Sequence, residues 1–478
     1  MVKTEKGKLW GGRFEGGPDE AFRRFDCSFG FDRRLLPYEL AVDKVWARAL
    51  VDVGILTREE AEQTSGALDE IGRRIRTEPG WLDQVEAEDL HGFVEAALVE
   101  KLGPVGAKLH TGRSRSDLVV TDFRLFVKDA ALAVREQVVG LVGALAGQAE
   151  KYFGVPVAGM THLQHAQPIL FSHFLLSHAE AFQRDAERLE ASADRADACP
   201  LGAGAIAGST LAIDRAKLAR DMGFRRVTAN SIDAVGDRDF ALEYLFALSV
   251  LALHLSRLAE DFILLATSEF GYLILSDAFS TGSSMMPQKK NPDAWELIRG
   301  KSGRVVGALV SLLVTLKGLP AGYQRDLQED KEPLFDAHDQ MLAAAEVAAG
   351  AVAATGVDAE RMRKSAADPA LLATEAADYL AGRGVPFRQA HEIVGALVKE
   401  GERRGQAWNQ LPLDVMRQFS PAFEPDWHRA VTLEAALDRR SLAGGTAPAA
   451  VRKGLENCRA WLQKQAPAKN EQGEPAGA

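Results

Sequence analysis

A short polar stretch, residues 282–292, carries side chains that could bind negative charge. It reads Gly-Ser-Ser-Met-Met-Pro-Gln-Lys-Lys-Asn-Pro and lies between two long apolar segments. Asn291 is predicted to cap the next helix, because Pro292 suits the first helical position and Asp293 complements the positive end of the helix dipole. Lysines and hydroxyls beside a helix N-terminus bring donors together around an anion. The stretch therefore indicates a carboxylate or phosphate site, although its composition also suits a plain polar loop.

Four further polar clusters interrupt segments of helical composition. They span residues 111–117, 161–168, 237–239 and 323–333. The first has two arginines and two serines at a predicted helix start, which suits a carboxylate, and the second is predicted as a polar turn leading into a helix begun by Pro168. Each alone is typical of a solvated loop, but their joint occurrence at the ends of predicted helices favours a functional role.

Long helices must position these clusters. Proline is absent between residues 104 and 156, 168 and 200, 200 and 287, and 292 and 320, as expected of helix interiors. Residues 233–270 are predicted to form one helix, about 55 Å long and buried on every side. Because one compact domain cannot cover such a helix, its apolar surface is expected to meet other subunits.

Shorter helices flank this region. The N-terminal part predicts helices at 37–53 and 87–102 and a capping box in which Thr57 and Glu60 begin another. Strand-like alternation is scarce, so the fold is predicted to be all-α. The predicted domains are residues 1–111 (helical), 112–360 (a central bundle of long helices) and 361–464 (small and helical), followed by a disordered tail at 465–478.

Composition limits the classes of function. The chain has 478 residues and a formal net charge of −10, which argues against a general nucleic-acid binder. Three sparse cysteines, Cys27, Cys199 and Cys458, suggest no disulfide framework and suit a reducing cytoplasm. Residues 1–12 lack the apolar core of a secretory signal, and no uninterrupted apolar stretch is long enough for a membrane span.

The stretch at 282–292 closely resembles the signature loop of the fumarase/aspartase superfamily of lyases. Its Gln-Lys-Lys-Asn-Pro-Asp form at 288–293 resembles the argininosuccinate lyase branch and the related delta crystallins. Each of the four other clusters resembles a further block of that family. The resemblance spans nearly the whole chain, from Leu-Trp-Gly-Gly-Arg-Phe at 9–14 to Gly-Gly-Thr at 444–446. Eleven matched residues at fixed spacing are a far stronger signal than a lone glycine motif.

The resemblance implies an all-α enzyme of three helical domains. It implies a homotetramer around a twenty-helix core, with each active site assembled from three subunits. The implied reaction is the reversible cleavage of argininosuccinate to arginine and fumarate, the last step of arginine biosynthesis. It implies no metal or organic cofactor, and no nucleic-acid or membrane partner is expected.

The resemblance also assigns residues by position. Ser283 is implied as the base, and His162, held by Glu296, as the other catalytic group; Lys289 and Asn291 are implied to hold the carboxylate that gains charge. The remaining implied substrate contacts are Ser28, Asp89, Ser114, Arg115, Thr161, Arg238, Tyr323, Gln328 and Lys331, with Ser116 at a position where the family carries a ligand.

The chemistry requires these residue types. Removing a proton next to a carboxylate adds negative charge to that carboxylate, so fixed cations and N–H donors there lower the barrier. A serine is a poor base unless its alkoxide is stabilised, which Lys289 and the helix N-terminus could do. Glu296 could orient and charge the His162 imidazole. Asp89 suits the guanidinium end of the substrate.

The chain departs from the family pattern at several positions. Ser116 and Leu118 stand where the family usually has Asn and Gln, and the missing amide is a substrate ligand there. His165 replaces a common Arg, and Gly236 a usual Ser. A lyase for another succinyl adduct and a catalytically silent structural homologue therefore stay open as alternatives.

Two other kinds of site are rejected. His162 and His165 lie three residues apart but lack further ligands at zinc spacing. The glycine-rich residues 202–208 follow a helix and Pro200 rather than a strand, so a tight packing turn is predicted instead of a dinucleotide loop.

Overall fold

The computed structural model describes residues 19–465 of the chain. The predicted N-terminal turn at 8–14 and the predicted tail beyond Gln465 lie outside the described residues. The all-α prediction is confirmed, because helices dominate this range and the strands are few and short.

Six helices open the described chain. They are α1 (Glu20–Asp26), α2 (Phe29–Asp32), α3 (Leu36–Asp52), α4 (Arg58–Thr77), α5 (Leu90–Leu102) and α6 (Pro104–Lys108). The predicted capping box begins α4, where the Thr57 hydroxyl accepts from the Glu60 N–H at 3.1 Å and the Glu60 carboxylate accepts from the Thr57 N–H at 2.9 Å. Local capping chemistry thus fixes where this helix starts.

Five long helices and two short ones occupy the middle of the chain. They are α7 (Arg115–Lys151), α8 (Phe171–Ala196), α9 (Arg215–Asp221), α10 (Ser231–Gly236), α11 (Asp239–Leu265), α12 (Asp293–Leu316) and α13 (Lys331–Ala354). As the spacing of prolines predicts, the long helices contain no proline beyond their first turn.

Shorter helices complete the chain. They are α14 (Ala359–Ala366), α15 (Ala373–Ala381), α16 (Phe387–Arg404), α17 (Leu413–Phe419), α18 (Trp427–Ala430), α19 (Leu433–Asp438) and α20 (Pro448–Gln465). Short 3-10 helices lie at Arg33–Leu35, Leu82–Gln84, Asp277–Phe279, Arg325–Asp330, Pro369–Leu372 and Trp408–Gln410.

Short strands pair in twos. They are β1 (Pro156–Thr161), β2 (Gln164–Leu170), β3 (Ala198–Cys199), β4 (Arg226–Val227), β5 (Leu273–Ile274), β6 (Thr281–Gly282), β7 (Lys290–Asn291) and β8 (Gly356–Val357). β1 pairs with β2, β5 with β8 and β6 with β7, all antiparallel, while β3 and β4 are parallel. The longest pair, β1–β2, is a hairpin with a tip at residues 162–163.

The predicted polar turn and helix at 161–168 are wrong. These residues form the end of β1, the hairpin tip and most of β2, in which Pro168 lies opposite Ala158. The next helix, α8, begins only at Phe171. Both tip residues, His162 and Leu163, have φ of 56°, so the backbone turns left-handed as a tight hairpin requires.

The predicted single helix at 233–270 is also wrong. The chain breaks at Asp237, which is extended, and the Asp237 carboxylate accepts from the Asp239 N–H at 2.8 Å to begin α11. α11 has 27 residues, which makes it about 40 Å long. Within one chain it is not buried on every side, because Phe246 is 55% and Leu253 is 53% exposed. The expected burial of its apolar surface against other subunits stays a prediction.

The chain forms two compact units. The first contains residues 19–135, Glu187–Val250 and Ser302–Leu342, and the second contains Glu136–Ala186, Leu251–Lys301 and 343–465. The predicted division into three domains stays a prediction.

Each unit has its own aromatic packing. In the first, Phe123 packs on Phe240 and Phe126 packs on Phe335, with ring centroids 5.5 and 4.8 Å apart. In the second, residues 372–436 share a separate hydrophobic cluster that includes Trp427. This cluster supports the predicted small helical region near the C-terminus.

Helix α7 is long and apolar enough to cross a membrane, judged by length and composition alone. Several of its apolar side chains, including Val120, Val127, Val134 and Val138, are fully buried within the protein. Core helices meet the same criteria, so this helix carries little weight as a membrane span.

Candidate active site

The first unit brings several predicted substrate contacts into one polar cluster. Asp89 accepts from Arg115 at 2.7 Å, and the Ser28 hydroxyl donates to Asp32. Asp32 is close enough to Asp89 and Lys331 to interact with them electrostatically, so the Ser28–Asp32 and Asp89–Arg115 contacts lie near each other. Burial raises the pKa of Asp32, while Lys331 and the Ser28 hydroxyl oppose that rise.

Local capping explains how Asp89 is held. It is the N-cap of α5, where its carboxylate accepts from the Gly92 N–H at 2.7 Å. The carbonyl of the preceding residue, Glu88, accepts from the Ser28 N–H at 2.8 Å and thereby ties α5 to the start of α2. Both Asp89 oxygens are already engaged, one by Gly92 and one by Arg115.

The start of α7 is a second capping box. The Ser114 hydroxyl accepts from the Ser116 N–H at 3.2 Å, and Asp117 accepts from the Ser114 N–H at 2.9 Å. The other Asp117 oxygen accepts from the N–H groups of Gly202 and Gly204 at 3.0 and 2.8 Å. Asp117 thus fastens the start of α7 to the glycine-rich turn.

That turn has the tight geometry predicted from sequence. Gly204 has a φ of +61°, and a Cβ atom there would lie 2.9 Å from the Gly208 carbonyl oxygen. Only glycine fits this backbone without displacing it. Burial raises the pKa of the Asp117 carboxyl that holds the turn, although its three N–H donors oppose that rise.

Arg238 and Lys331 meet at Asp330, which lies in the polar cluster at 323–333. The Arg238 guanidinium donates to Asp330, and the Lys331 ammonium donates to it at 2.9 Å. Arg238 is 2% exposed and also donates to the carbonyls of Val235 and Asp237. Its donors are therefore directed at protein groups in this structure.

Tyr323 and Gln328 lie on the segment before α13. Tyr323 packs on Ala203 of the glycine-rich turn, and the Gln328 amide donates to the Asp26 carbonyl at 3.3 Å. Within residues 19–465 the Tyr323 hydroxyl has no hydrogen-bond partner, so it remains available to a ligand.

The hairpin tip presents Thr161 and His162 in the second unit. Both are exposed, and His162 makes no hydrogen bond or ion pair with any described residue. Among residues 19–465, His162 and Leu163 are the only non-glycine residues with a positive φ. Such backbone costs about 1–2 kcal/mol per residue and is concentrated at functional sites.

The loop between β6 and β7 holds Ser283 and Lys289. The Ser283 hydroxyl oxygen accepts from the N–H groups of Met285 and Met286 at 3.2 and 3.0 Å. The Lys290 ammonium instead donates to the Leu275 carbonyl and, at 2.6 Å, to Asp277. Both lysines are exposed, but the Lys289 ammonium has no hydrogen-bond or ion-pair partner in the described part of the chain.

The predicted helix start at Asn291 is wrong. Asn291 lies in β7 opposite Thr281, and its amide donates to the Thr281 hydroxyl and to the Gly282 carbonyl, both at 3.4 Å. Helix α12 begins at Asp293 instead. Strand pairing closes the loop and directs the Asn291 side chain across its base.

The expected contact between Glu296 and His162 is not made within one chain. Glu296 is exposed in the first turn of α12 and has no hydrogen bond or ion pair to any of residues 19–465. The pairing stays a prediction that requires a second copy of the chain.

Sequence reasoning missed Asp32, Asp117 and Asp330 as organisers of the cluster. The capping role of Asp117 could have been predicted from the sequence, since Ser114 and Asp117 have the spacing of a capping box. Asp330 pairs with Arg238, 92 positions earlier in the chain, so that contact could not be predicted from neighbouring residues.

Comparison with protein families is consistent with this geometry. A family model described as lyase matches residues 12–307, and one described as the argininosuccinate lyase C-terminal region matches residues 370–438. Argininosuccinate lyase from Roseiflexus castenholzii is 48% identical over 95% of this chain and 99% of its own. Argininosuccinate lyase from Frankia casuarinae is 48% identical over 96% of this chain and 98% of its own.

Solved structures share the fold. An EDDS lyase in complex with formate superposes with a TM-score of 0.82 at 30% identity, covering 91% of this chain and 87% of that one. A class II fumarase from Schistosoma mansoni gives a TM-score of 0.69 at 15% identity, covering 84% and 91%. At that identity, the fumarase likeness concerns the fold alone.

Proposed function

The chain belongs to the argininosuccinate lyase family, and on that premise we propose that it cleaves argininosuccinate to arginine and fumarate. The reaction removes a proton from the succinyl carbon beside a carboxylate and breaks the bond from the neighbouring carbon to the guanidinium nitrogen. The electron pair of the C–H bond becomes the fumarate double bond, and the nitrogen leaves with a proton as arginine.

Ser283 is proposed as the base, and its hydrogen bonds are the observation that carries this assignment. Two backbone N–H groups point at its oxygen, from Met285 and Met286. Fixed N–H donors stabilise an alkoxide without reorganising, which is what a serine needs to remove a carbon-bound proton. Lys289, exposed in the same loop, supplies a positive charge for the same purpose or for the substrate carboxylate.

The remaining residues divide by the charge they offer. Lys289 and Asn291 are proposed to hold the carboxylate that gains charge, and His162, oriented by Glu296, is the other proton-transfer group. Carboxylate contacts are proposed from Ser114, Arg115, Ser116 and Thr161, and further contacts from Ser28, Asp89, Arg238, Tyr323, Gln328 and Lys331. Because Arg238 is directed at Asp330, it is expected to act through that carboxylate.

We also propose a homotetramer with sites shared between chains. Apolar side chains stay exposed along two long helices, among them Phe246 and Leu253 on α11 and Val310 and Val314 on α12. Such surface is costly in water and suits burial against other subunits. A second chain would also supply the partner that Glu296 and His162 lack in one chain.

A soluble, cytoplasmic enzyme without a cofactor is proposed. The three cysteines are free thiols, which suits a reducing compartment. The proposed residues stabilise charge with hydrogen bonds and cations of the chain itself.

Fumarate release measures the proposed function directly. Purified protein is expected to raise the ultraviolet absorbance of fumarate with argininosuccinate and not with adenylosuccinate. Activity on adenylosuccinate alone would show a lyase for another succinyl adduct, and no activity on either would favour a silent structural homologue.

Restoring an amide at Ser116 is expected to raise kcat/KM on argininosuccinate about tenfold. Ser116 offers one rotatable donor near the backbone, whereas Asn offers two donors and an acceptor on a longer arm. A direct hydrogen bond to a charged group is worth about 1.5–3 kcal/mol, so Ser116→Asn should recover much of that in the transition state. The measurement is steady-state fumarate release.

Ser116→Asp is the matched control for this prediction. Aspartate has the shape of asparagine but repels a substrate carboxylate, so its kcat/KM should fall below that of the parent protein. An unchanged or lower kcat/KM for Ser116→Asn would instead favour a site built for another succinyl adduct. Leu118, which also departs from the family pattern, is 1% exposed and packs in the core, so it does not contact the substrate directly.

A further inference from the structure

Five charged or titratable side chains are buried together behind the candidate site. This buried acid network consists of Glu39, Asp43, His91, Arg113 and Asp122. Glu39 and Asp43 are each 1% exposed, Asp122 is fully buried and His91 is 7% exposed. Only Arg113 belongs to a cluster predicted from the sequence to bind a carboxylate. Their burial requires an account of how their charges balance.

Two contacts in the buried acid network are hydrogen-bonded ion pairs. His91 Nδ1 lies 2.7 Å from Glu39 Oε2, and Arg113 donates to Asp43. The Glu39 charge and its hydrogen bond raise the pKa of His91 against the effect of burial. The Glu39 carboxylate therefore favours the charged imidazolium form of His91.

Asp122 is the group without a donor. Neither of its oxygens has a hydrogen-bond partner within residues 19–465, yet a carboxyl oxygen of Asp122 lies within 4.8 Å of a Glu39 carboxylate oxygen and a His91 ring nitrogen. Two carboxylates this close together and out of water are not both ionised. A cavity of about 10 Å³ lies beside Glu39 and His91, but Asp122 does not line it, so a water there cannot serve Asp122.

Counting charges identifies which carboxyl keeps a proton. Three carboxyls face one guanidinium and one imidazolium, so one proton on a carboxyl makes the network neutral. Burial and the facing Glu39 raise the pKa of Asp122 well above its usual value. Burial also raises the pKa of Asp43 to about 7, but Asp43 accepts a hydrogen bond from the Arg113 guanidinium, which favours its ionised form, whereas Asp122 has no donor among the described residues. Burial alone would raise the pKa of Glu39, but His91 and Asp122 together lower it to about 2.

The buried acid network lies directly behind the Asp89–Arg115 pair. His91 is two residues beyond Asp89 in the first turn of α5, and Asp122 is two turns beyond Arg115 in α7. A Cβ atom on Gly92, between them, would come within 3.1 Å of Asp89 and 3.2 Å of Arg115, so the packing there leaves little freedom. Holding His91 and Asp122 to Glu39 of α3 therefore fixes both helix starts.

We propose that Asp122 is a neutral carboxylic acid that donates to Glu39, and that Glu39 and His91 are positioning residues which hold the Asp89–Arg115 pair. The role in substrate binding rests on the proposed function, whereas the protonation of Asp122 does not. A divalent cation on Glu39, His91 and Asp122 is the competing arrangement. The distance of 2.7 Å between His91 Nδ1 and Glu39 Oε2 is that of a hydrogen bond. It is shorter than the distance between two ligand atoms bound to the same zinc ion.

Two isosteric amides separate these arrangements. Asp122→Asn keeps a donor toward Glu39 and adds no charge, so KM and kcat for argininosuccinate should change less than threefold. Glu39→Gln removes the negative charge beside His91 and replaces one of the two acceptor oxygens with a donor, so the side chain can no longer accept fully from both Asp122 and His91. KM should therefore rise at least tenfold while kcat falls less. Equal losses in the two variants would overturn the proposal, because Asp122 would then act as an anion.

Infrared spectroscopy tests the proton without relying on activity or on Glu39→Gln folding. The parent protein at neutral pH should show the carbonyl band of a buried neutral carboxylic acid, and Asp122→Asn should lack it. No difference between the two spectra, or one equivalent of bound metal that Asp122→Asn loses, would overturn the proposal. If the parent protein releases no fumarate, the proposed function fails, while the infrared result still decides the state of Asp122.

Discussion

Replacing Ser283 with alanine is expected to lower kcat on argininosuccinate by about a thousandfold or more, with a modest change in KM. The variant removes the group proposed to take the proton in the transition state, and such a loss appears in kcat. Ser283 is half-buried in the loop between β6 and β7, outside the core, so the fold and oligomer should survive. Steady-state assays of fumarate release measure kcat and KM. Circular dichroism and size-exclusion chromatography check the fold and the oligomer.

Ser284→Ala is the matched control. Ser284 is one residue along the same loop, exposed, and its hydroxyl makes no hydrogen bond within residues 19–465. It should keep nearly full activity. A Ser283→Ala protein with more than about a tenth of the parent kcat would exclude Ser283 as the base.

Mixing two inactive variants, Ser283→Ala and His162→Asn, is expected to restore activity once subunits exchange. If one site takes Ser283 and His162 from different chains, random hybrids contain about a quarter of sites with both residues intact. Mixed samples should therefore approach about a quarter of the parent activity. The assay is fumarate release before and after exchange, with hybrid formation followed by native mass spectrometry.

The control pairs Ser283→Ala with Ser283→Gly, which share the same defect and cannot complement each other. If demonstrated hybrids of the first pair stay inactive, Ser283 and His162 act from the same chain. The shared-site architecture would then be wrong.

Local signals in the sequence predicted the helices well. The capping box at Thr57 and Glu60 and the distribution of prolines are properties of neighbouring residues, so they can be read without knowing the fold. The hairpin was missed because His162 and Leu163 lack the glycine or asparagine that normally marks such a turn. Tertiary and functional constraints override local preference there.

Long-range pairing explains the other misses. The break at Asp237 directly follows Gly236, and the Asp237 carboxylate accepts from Arg124, 113 positions earlier in the chain. The predicted site residues came from a resemblance, which carries positions but not contacts. The pairing of Asp330 with Arg238, 92 positions apart, and of Glu39 with His91, 52 apart, therefore required coordinates.

The pairing of Asp89 with Arg115 has a consequence for turnover. In this structure each of these groups serves as the counter-ion of the other. A ligand with carboxylates alone must separate Arg115 from Asp89 and leave the acid without a cation, whereas a ligand that also carries a guanidinium can replace both partners at once. Cleavage divides those two charges between two molecules. Each product alone is then a poorer competitor for the pair than the intact substrate, so we expect weak product inhibition and a reaction drawn toward release.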